Sequence, residues 1–128
     1  MDVLLDTHSI LWYALVDRRL SIAARIVISD PAITKWISPA SYWEIAIKIS
    51  TGKYSLTMPY RMLFRTAIKA KRYRVLGVRL RHTDRLIALP LHHRDPFDRL
   101  LIFQSVAEGF PVVGSDVQFD PYGIVRIW

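Results

Sequence analysis

The sequence VLLDT at residues 3–7 indicates the fold class. The apolar run at residues 3–5 is too short to form a helix. The Asp6-Thr7 pair that follows it is a typical helix start, and an apolar-rich stretch continues over residues 10–16. A short apolar strand therefore leads directly into a helix.

The same alternation of strands and helices continues along the chain. Because such strands are apolar on both faces, they indicate a parallel sheet that is covered on both sides by helices. We therefore predict one α/β domain over residues 1–128, a three-layer α/β/α sandwich around a central, mainly parallel five-stranded sheet. Further strands are predicted at residues 34–38, 74–78, 111–114 and 124–128, and further helices at residues 21–30, 40–49, 59–72, 83–89 and 95–108.

The composition narrows the class of protein. A chain of 128 residues can bury a core, and with 52% hydrophobic residues it has apolar surface to spare for interfaces. It contains no cysteine, which excludes disulfides, thiolate zinc sites and cysteine nucleophiles. No apolar run approaches the roughly 20 residues of a membrane helix, and the N-terminus does not resemble a signal peptide. We expect a cytoplasmic protein that does not insert into membranes.

The charge is strongly positive and unevenly distributed. The formal net charge is +7, and no acidic residue occurs between Glu44 and Asp84. A long block of one sign attracts polyanions, so nucleic acid is the favoured partner, although a solvated helical face would look similar. Ten basic residues form this block: Lys48, Lys53, Arg61, Arg65, Lys69, Lys71, Arg72, Arg74, Arg79 and Arg81.

Four carboxylates stand at the ends of strands or in helices of this basic chain. Asp6 and Asp116 follow the first and fourth predicted strands, Glu44 lies in the third helix, and Asp98 lies in the first turn of the last one. Parallel sheets bind ligands beyond the carboxyl ends of their strands, where the strand order reverses. If the first and fourth strands are neighbours there, these carboxylates share one crevice.

Each carboxylate also has an ordinary interpretation. Asp6 could cap the helix that follows it, and Asp116 could be a turn residue. Glu44 precedes Lys48 by four residues, which is the spacing of a helical ion pair. Asp98 lies where the helix dipole favours a negative charge. One shared site explains the four carboxylates at one edge of the sheet more simply than four unrelated ordinary roles do.

A cluster of carboxylates in a cationic protein needs a cation to hold it together. Mg²⁺ and Mn²⁺ prefer carboxylate oxygens and leave positions open for water and phosphate. A basic surface around an acidic metal site is typical of a nuclease. We therefore predict a Mg²⁺ or Mn²⁺ site formed by Asp6, Asp98 and Asp116, with Glu44 either binding a metal or positioning water.

Other residues near these acids are interpreted as structural or supporting residues. Asp95 is interpreted as a helix N-cap, because Pro96 occupies the first helical position. His8 is close enough in sequence to support Asp6 indirectly. His92 and His93 are adjacent and point in different directions, so a neutral role in a loop is favoured over catalysis.

Four segments of the chain contain specific motifs: LLDTHSILW (residues 4–12), SPASYWEIAIK (38–48), LPLHHRDPFDRLLIFQSVAEGFPVV (89–113) and SDVQFDPYGI (115–124). In the right order and over nearly the whole length, these segments closely resemble the PIN-domain toxins of the VapC type. The resemblance implies a PIN fold and a metal-dependent endoribonuclease site formed by Asp6, Glu44, Asp98 and Asp116. It also implies a type II toxin that forms a homodimer and is inhibited by a cognate antitoxin.

One position departs from the family pattern. A threonine usually lies two residues before the last acid, where this chain has Gly114 followed by Ser115.

Two other classes of protein are alternatives to the nuclease. A phosphotransfer or phosphatase domain of the dehalogenase type needs a second aspartate two residues after Asp6, where this chain has His8. A non-catalytic RNA-binding module would explain the basic block but not the acids.

Overall fold

The protein forms a five-stranded, all-parallel sheet with the strand order β3-β2-β1-β4-β5. The computed structural model describes residues 1–70 and 72–128. The strands are β1 (Asp2–Leu5), β2 (Thr34–Ile37), β3 (Tyr73–Val75), β4 (Val112–Val113) and β5 (Arg126–Ile127). The helices are α1 (Thr7–Ala14), α2 (Ile22–Ser29), α3 (Pro39–Ser50), α4 (Arg65–Lys69), α5 (Leu80–Ala88) and α6 (Pro96–Glu108), with 3₁₀ helices at Tyr60–Leu63 and Val117–Tyr122.

Two hydrophobic clusters cover the two faces of the sheet. Successive residues of a strand point to opposite faces, and β1 is buried on both. Val3 and Leu5 belong to a cluster that includes residues of α1, α2 and α3. Leu4 belongs to a second cluster with Leu101 and Ile102 of α6. This arrangement confirms the predicted three-layer α/β/α sandwich.

The strand order reverses between β1 and β4, which are neighbours at the centre of the sheet. From β1 the chain continues through β2 to one edge, and from β4 it continues to β5 at the other. The crevice expected from the sequence therefore lies beyond the carboxyl ends of β1 and β4. Among the described residues, no helix is long and apolar enough to cross a membrane.

Two predicted helices differ from those observed. The helix predicted at residues 59–72 is a 3₁₀ helix followed by the short α4, and Lys71 of this segment lies outside the described residues. Helix α5 begins at Leu80, three residues earlier than predicted. The Arg79 N–H donates to Nδ1 of the buried His82 at 2.9 Å. Histidine is not a common capping residue, which is why the sequence did not indicate this start.

Candidate metal centre

Asp6 is fixed at the carboxyl end of β1 by contacts to its own helix and to β4. Its N–H donates to the Val113 carbonyl at 3.0 Å, and its Oδ1 accepts the Ser9 N–H at 2.7 Å. The Ser9 hydroxyl donates to the same Val113 carbonyl at 3.0 Å. Asp6 is therefore the N-cap of α1, which is the ordinary role that the sequence suggests for it. Its other carboxylate oxygen, Oδ2, is left for another partner.

The absence of a side chain at Gly114 is explained by Asp6. A Cβ built at this position would lie 2.5 Å from Oδ2 of Asp6 and 2.8 Å from its Cγ. Contacts this short do not occur, so any larger residue would force the carboxylate to move. Gly114, which departs from the family pattern, thus lies just after β4, where the chain passes close to the Asp6 carboxylate.

Glu44 lies on the buried face of α3, with only 4% of its surface exposed. Its Oε2 accepts a hydrogen bond from Lys48 Nζ at 2.6 Å, which is the helical ion pair considered from the sequence. Its Oε1 is buried and has no hydrogen-bond partner among the described residues. Near its start, α3 is joined to α1 by the Thr7 and Ser41 hydroxyls, 3.1 Å apart.

Asp98 and Asp116 meet at the side chain of His93. Nε2 of His93 is 2.8 Å from Oδ2 of Asp116 and 3.2 Å from Oδ2 of Asp98. Asp116 follows β4 and caps the last 3₁₀ helix, its Oδ1 accepting the Gln118 N–H. Ligand atoms of His93, Asp98 and Asp116 lie within 4.8 Å of one another, so the two carboxylates are close enough to share one ion.

The hydrogen bonds around His93 determine which of its ring nitrogens carries the hydrogen. The Asp95 N–H donates to Nδ1 at 3.2 Å, so Nδ1 must accept. The ring hydrogen is then on Nε2 and is donated to Asp116. In this tautomer His93 orients the two carboxylates and offers no lone pair to a metal.

The loop that carries His93 is held by Tyr122 and Arg99. The Tyr122 hydroxyl accepts the His93 N–H at 2.8 Å and donates to the Pro90 carbonyl at 2.8 Å. Arg99 Nη1 donates to the His93 carbonyl at 3.1 Å. The buried His93 therefore lies within the acidic cluster, whereas the sequence interpretation favoured a neutral role in a loop. His92 and His93 lie shortly before the DPFD segment at residues 95–98. This local sequence is consistent both with a histidine in the site and with a neutral histidine in a loop.

The acids are electrostatically coupled. Burial raises the pKa of Asp6, and the negative charge of Glu44 adds to the increase. Burial, together with the neighbouring carboxylates of Asp95, Glu44 and Asp116, raises the pKa of Asp98 to about 7. Because Glu44 affects both Asp6 and Asp98, the predicted residues form one electrostatic cluster instead of separate surface charges.

This set of groups suits a hard divalent cation. The available atoms are carboxylate oxygens, the ligands that Mg²⁺ and Mn²⁺ prefer. The buried Oε1 of Glu44 has no hydrogen-bond donor among the residues that the structure describes, and a buried acceptor without a partner is costly unless an ion or water satisfies it. A cation would also relieve the repulsion that raises the pKa of Asp98. The residues present therefore fit the predicted metal.

Two neighbouring residues have structural roles. Asp95 is the N-cap of α6, as predicted, and accepts the N–H groups of Phe97 and Asp98. His8 contacts Tyr54, its Nε2 lying 3.0 Å from the Tyr54 hydroxyl.

Comparisons with known proteins agree with this architecture. A family model described as PIN domain matches residues 3–124. Among solved structures, the chain is similar to a chain in the crystal structure of VapBC2 from Rickettsia felis bound to a DNA fragment from their promoter. The TM-score is 0.68 with 13% sequence identity, over 98% of this chain and 97% of that chain. No curated protein sequence matches.

Proposed function

The chain belongs to the PIN domain family, and we propose that it is a Mg²⁺- or Mn²⁺-dependent endoribonuclease, the toxin of a type II toxin–antitoxin pair. The observation that carries the proposal is the acidic cluster beyond β1 and β4. Its carboxylates come from four separate elements, and the buried Oε1 of Glu44 has no partner among the described residues. PIN domains are generally nucleases, and this cluster supplies what a nuclease site requires.

Asp6, Asp98 and Asp116 would hold the metal, and Glu44 has one further oxygen to offer. When bound, a divalent cation lowers the pKa of a water molecule and neutralises charge that develops on a phosphodiester. His93 holds Asp116 through Nε2–H and lies beside Asp98. Helix α1 holds Asp6 through the Ser9 N–H. The chain thus preorganises the acids before substrate arrives.

RNA is the proposed substrate because the chain has a net charge of +7 and a long basic block. Several members of the basic block are exposed beside a groove of about 370 Å³ that also contains aromatic side chains. Cationic grooves with aromatic side chains are common in proteins that bind single-stranded nucleic acid. The basic side chains in this groove are Arg61, Arg65 and Lys69, and the aromatic ones are Tyr42, Tyr60 and Phe64.

An antitoxin and a second copy of the chain are the proposed protein partners. Large apolar side chains are exposed on α2 and α3, as is common at protein interfaces: Ile22 is 80%, Ile26 63% and Trp43 65% exposed. The resemblance of the VapC type and the likeness to a chain of a VapBC2 complex support this assignment. Light scattering on the isolated protein and capture of the product of a neighbouring gene test it. A monomer that captures no partner and is harmless on expression would contradict the toxin role alone.

Cleavage of single-stranded RNA tests the catalytic proposal. We expect cleavage with Mg²⁺ or Mn²⁺, none with EDTA, and loss of cleavage in Asp6→Asn, Glu44→Gln and Asp98→Asn with the fold retained. The matched control is Asp84→Asn, an exposed acid on α5. Wild-type rates in any two of the three site variants would refute the assignment. Binding without cleavage would indicate an RNA-binding module, and hydrolysis of phosphomonoesters a phosphatase.

A further inference from the structure

A chain of polar contacts leads from the acidic cluster to helix α1. Lys48 Nζ donates to Glu44 Oε2 at 2.6 Å and lies 3.4 Å from the Tyr54 hydroxyl. That hydroxyl is 3.0 Å from His8 Nε2, and the His8 ring stacks on Trp12 with 5.1 Å between centroids. Lys48 also lies 5.3 Å from the centre of the Tyr54 ring. The lysine is thus held on two sides.

The contact between Lys48 and Glu44 differs from an ordinary surface ion pair. The Lys48 side chain is 26% exposed and that of Glu44 only 5%, so solvent screens the pair weakly. Burial acts to lower the pKa of Lys48, but the Glu44 contact outweighs it and raises the pKa above the ordinary value. The lysine therefore stays charged at neutral pH.

This pairing limits what Glu44 can do. One oxygen is committed to Lys48 and only Oε1 remains, so Glu44 cannot bind a cation with both oxygens while the pair is intact. Without Lys48, the like charges of Asp6 and Asp98 would favour rotation of the Glu44 carboxylate away from the cluster. Three side-chain torsions allow such a rotation in a glutamate.

We propose that Lys48 is a positioning residue of the acidic site: by holding Oε2 of Glu44, it keeps Oε1 directed at the attacking water, with Tyr54 and His8 supporting the lysine. The proposal rests on the proposed nuclease function and assigns Glu44 to the water rather than to the metal. Lys48 acts through Glu44 and not on the substrate.

The test is a double-mutant cycle between Lys48 and Glu44. Lys48→Met keeps much of the side-chain length and removes the charge; Lys48→Arg keeps the charge, and Arg85→Met removes a charge from the exposed face of α5 as a control. For each variant, kcat and KM for single-stranded RNA, the Kd for Mn²⁺ by calorimetry and the Tm in EDTA are measured. The double variant combines Lys48→Met with Glu44→Gln.

Positioning predicts a distinctive combination of results. Lys48→Met lowers kcat about tenfold or more, in the range of positioning effects, with KM unchanged. The Kd for Mn²⁺ does not weaken, because a nearby positive charge has been removed. Lys48→Arg recovers part of kcat. Adding Lys48→Met to Glu44→Gln causes no further loss, whereas a lysine that contacted RNA would lower activity again and raise KM.

Several outcomes would overturn the proposal: an unchanged kcat in Lys48→Met, additive losses in the double variant, or a Kd for Mn²⁺ that weakens in step with kcat. The Tm in EDTA is independent of activity. Lys48→Met should lower it by several degrees in the wild-type background and much less beside Glu44→Gln. Absence of RNA cleavage by the wild type would refute the nuclease, whereas equal Tm losses in both backgrounds would refute the role of Lys48.

Discussion

Replacing Asp98 by asparagine should stabilise the metal-free protein while abolishing its activity. Burial and neighbouring carboxylates raise the pKa of Asp98 from 3.8 to about 7. Each pKa unit corresponds to about 1.4 kcal/mol, so ionising this group in the folded protein costs up to about 4 kcal/mol. The side chain is 25% exposed and the acids titrate together, so we expect asparagine to recover about 2 to 4 kcal/mol at pH 8.

The pH dependence of this gain has a definite sign. The folded state binds the Asp98 proton more tightly than the unfolded state, so the wild type loses stability as the pH rises from about 4 to about 7. Above that window the loss is complete. Asparagine has no such proton, so the advantage of Asp98→Asn should increase between pH 5 and pH 8 and then level off.

Urea unfolding in EDTA at pH 5, 6.5 and 8 measures this gain, with Asp84→Asn as the exposed control. Adding Mn²⁺ at 1,000 times its Kd should offset this difference, because it stabilises the wild type by about 4.1 kcal/mol, whereas the variant has lost a ligand. An Asp98→Asn protein no more stable than the wild type at pH 8, or equally stabilised at all three pH values, would refute the repulsive cluster.

Further predictions concern the cap, the metal, the basic surface and β4. Asp95→Asn should reduce RNA cleavage only mildly, since asparagine caps a helix about as well as aspartate; a loss as large as that of Asp98→Asn would make Asp95 a ligand. The Kd for Mn²⁺, measured by calorimetry, should weaken as the pH falls below about 7, because a proton then competes for Asp98; an unchanged Kd at pH 5.5 would argue against that ligand. Replacing Arg65, Lys69 and Arg72 with glutamine should weaken RNA binding and flatten its dependence on salt without changing the Kd for Mn²⁺; an identical salt slope would place these residues on a passive surface. Gly114→Ala should reduce Mn²⁺ affinity and cleavage, because its Cβ would lie 2.5 Å from Oδ2 of Asp6, and wild-type values would show that this carboxylate moves without consequence.

Several helix starts were predictable because local chemistry determines them. Ser21 accepts the Ala24 N–H as the N-cap of α2, and Asp95 caps α6 before Pro96. Gly109 ends α6 with a positive φ of 70°, which glycine adopts without strain. These signals depend only on residues close in sequence. The segment at residues 59–72 was harder, since Pro59 marks a start but nothing in the sequence indicates where the helix breaks.

The role of His93 could not be predicted, because it depends on contacts between distant residues. Its position is set by Tyr122, 29 residues away, and its hydrogen-bond partner Asp116 lies 23 residues away. No local pattern distinguishes a histidine held in this way from one exposed in a loop. The same reasoning applies to Gly114, whose meaning emerges only when β1 and β4 are placed side by side.

Other groups of the chain neutralise the acidic cluster in part. Lys48 neutralises Glu44, and Nε2 of His93 is hydrogen-bonded to Asp116 and lies 3.2 Å from Oδ2 of Asp98. These contacts leave Oε1 of Glu44 without a partner among the described residues, and they do not prevent the pKa of Asp98 from rising to about 7. The contacts within the protein therefore compensate the negative charges and hydrogen-bond acceptors of the cluster only in part. What remains is unfavourable charge at Asp98, which the proposed divalent cation would relieve.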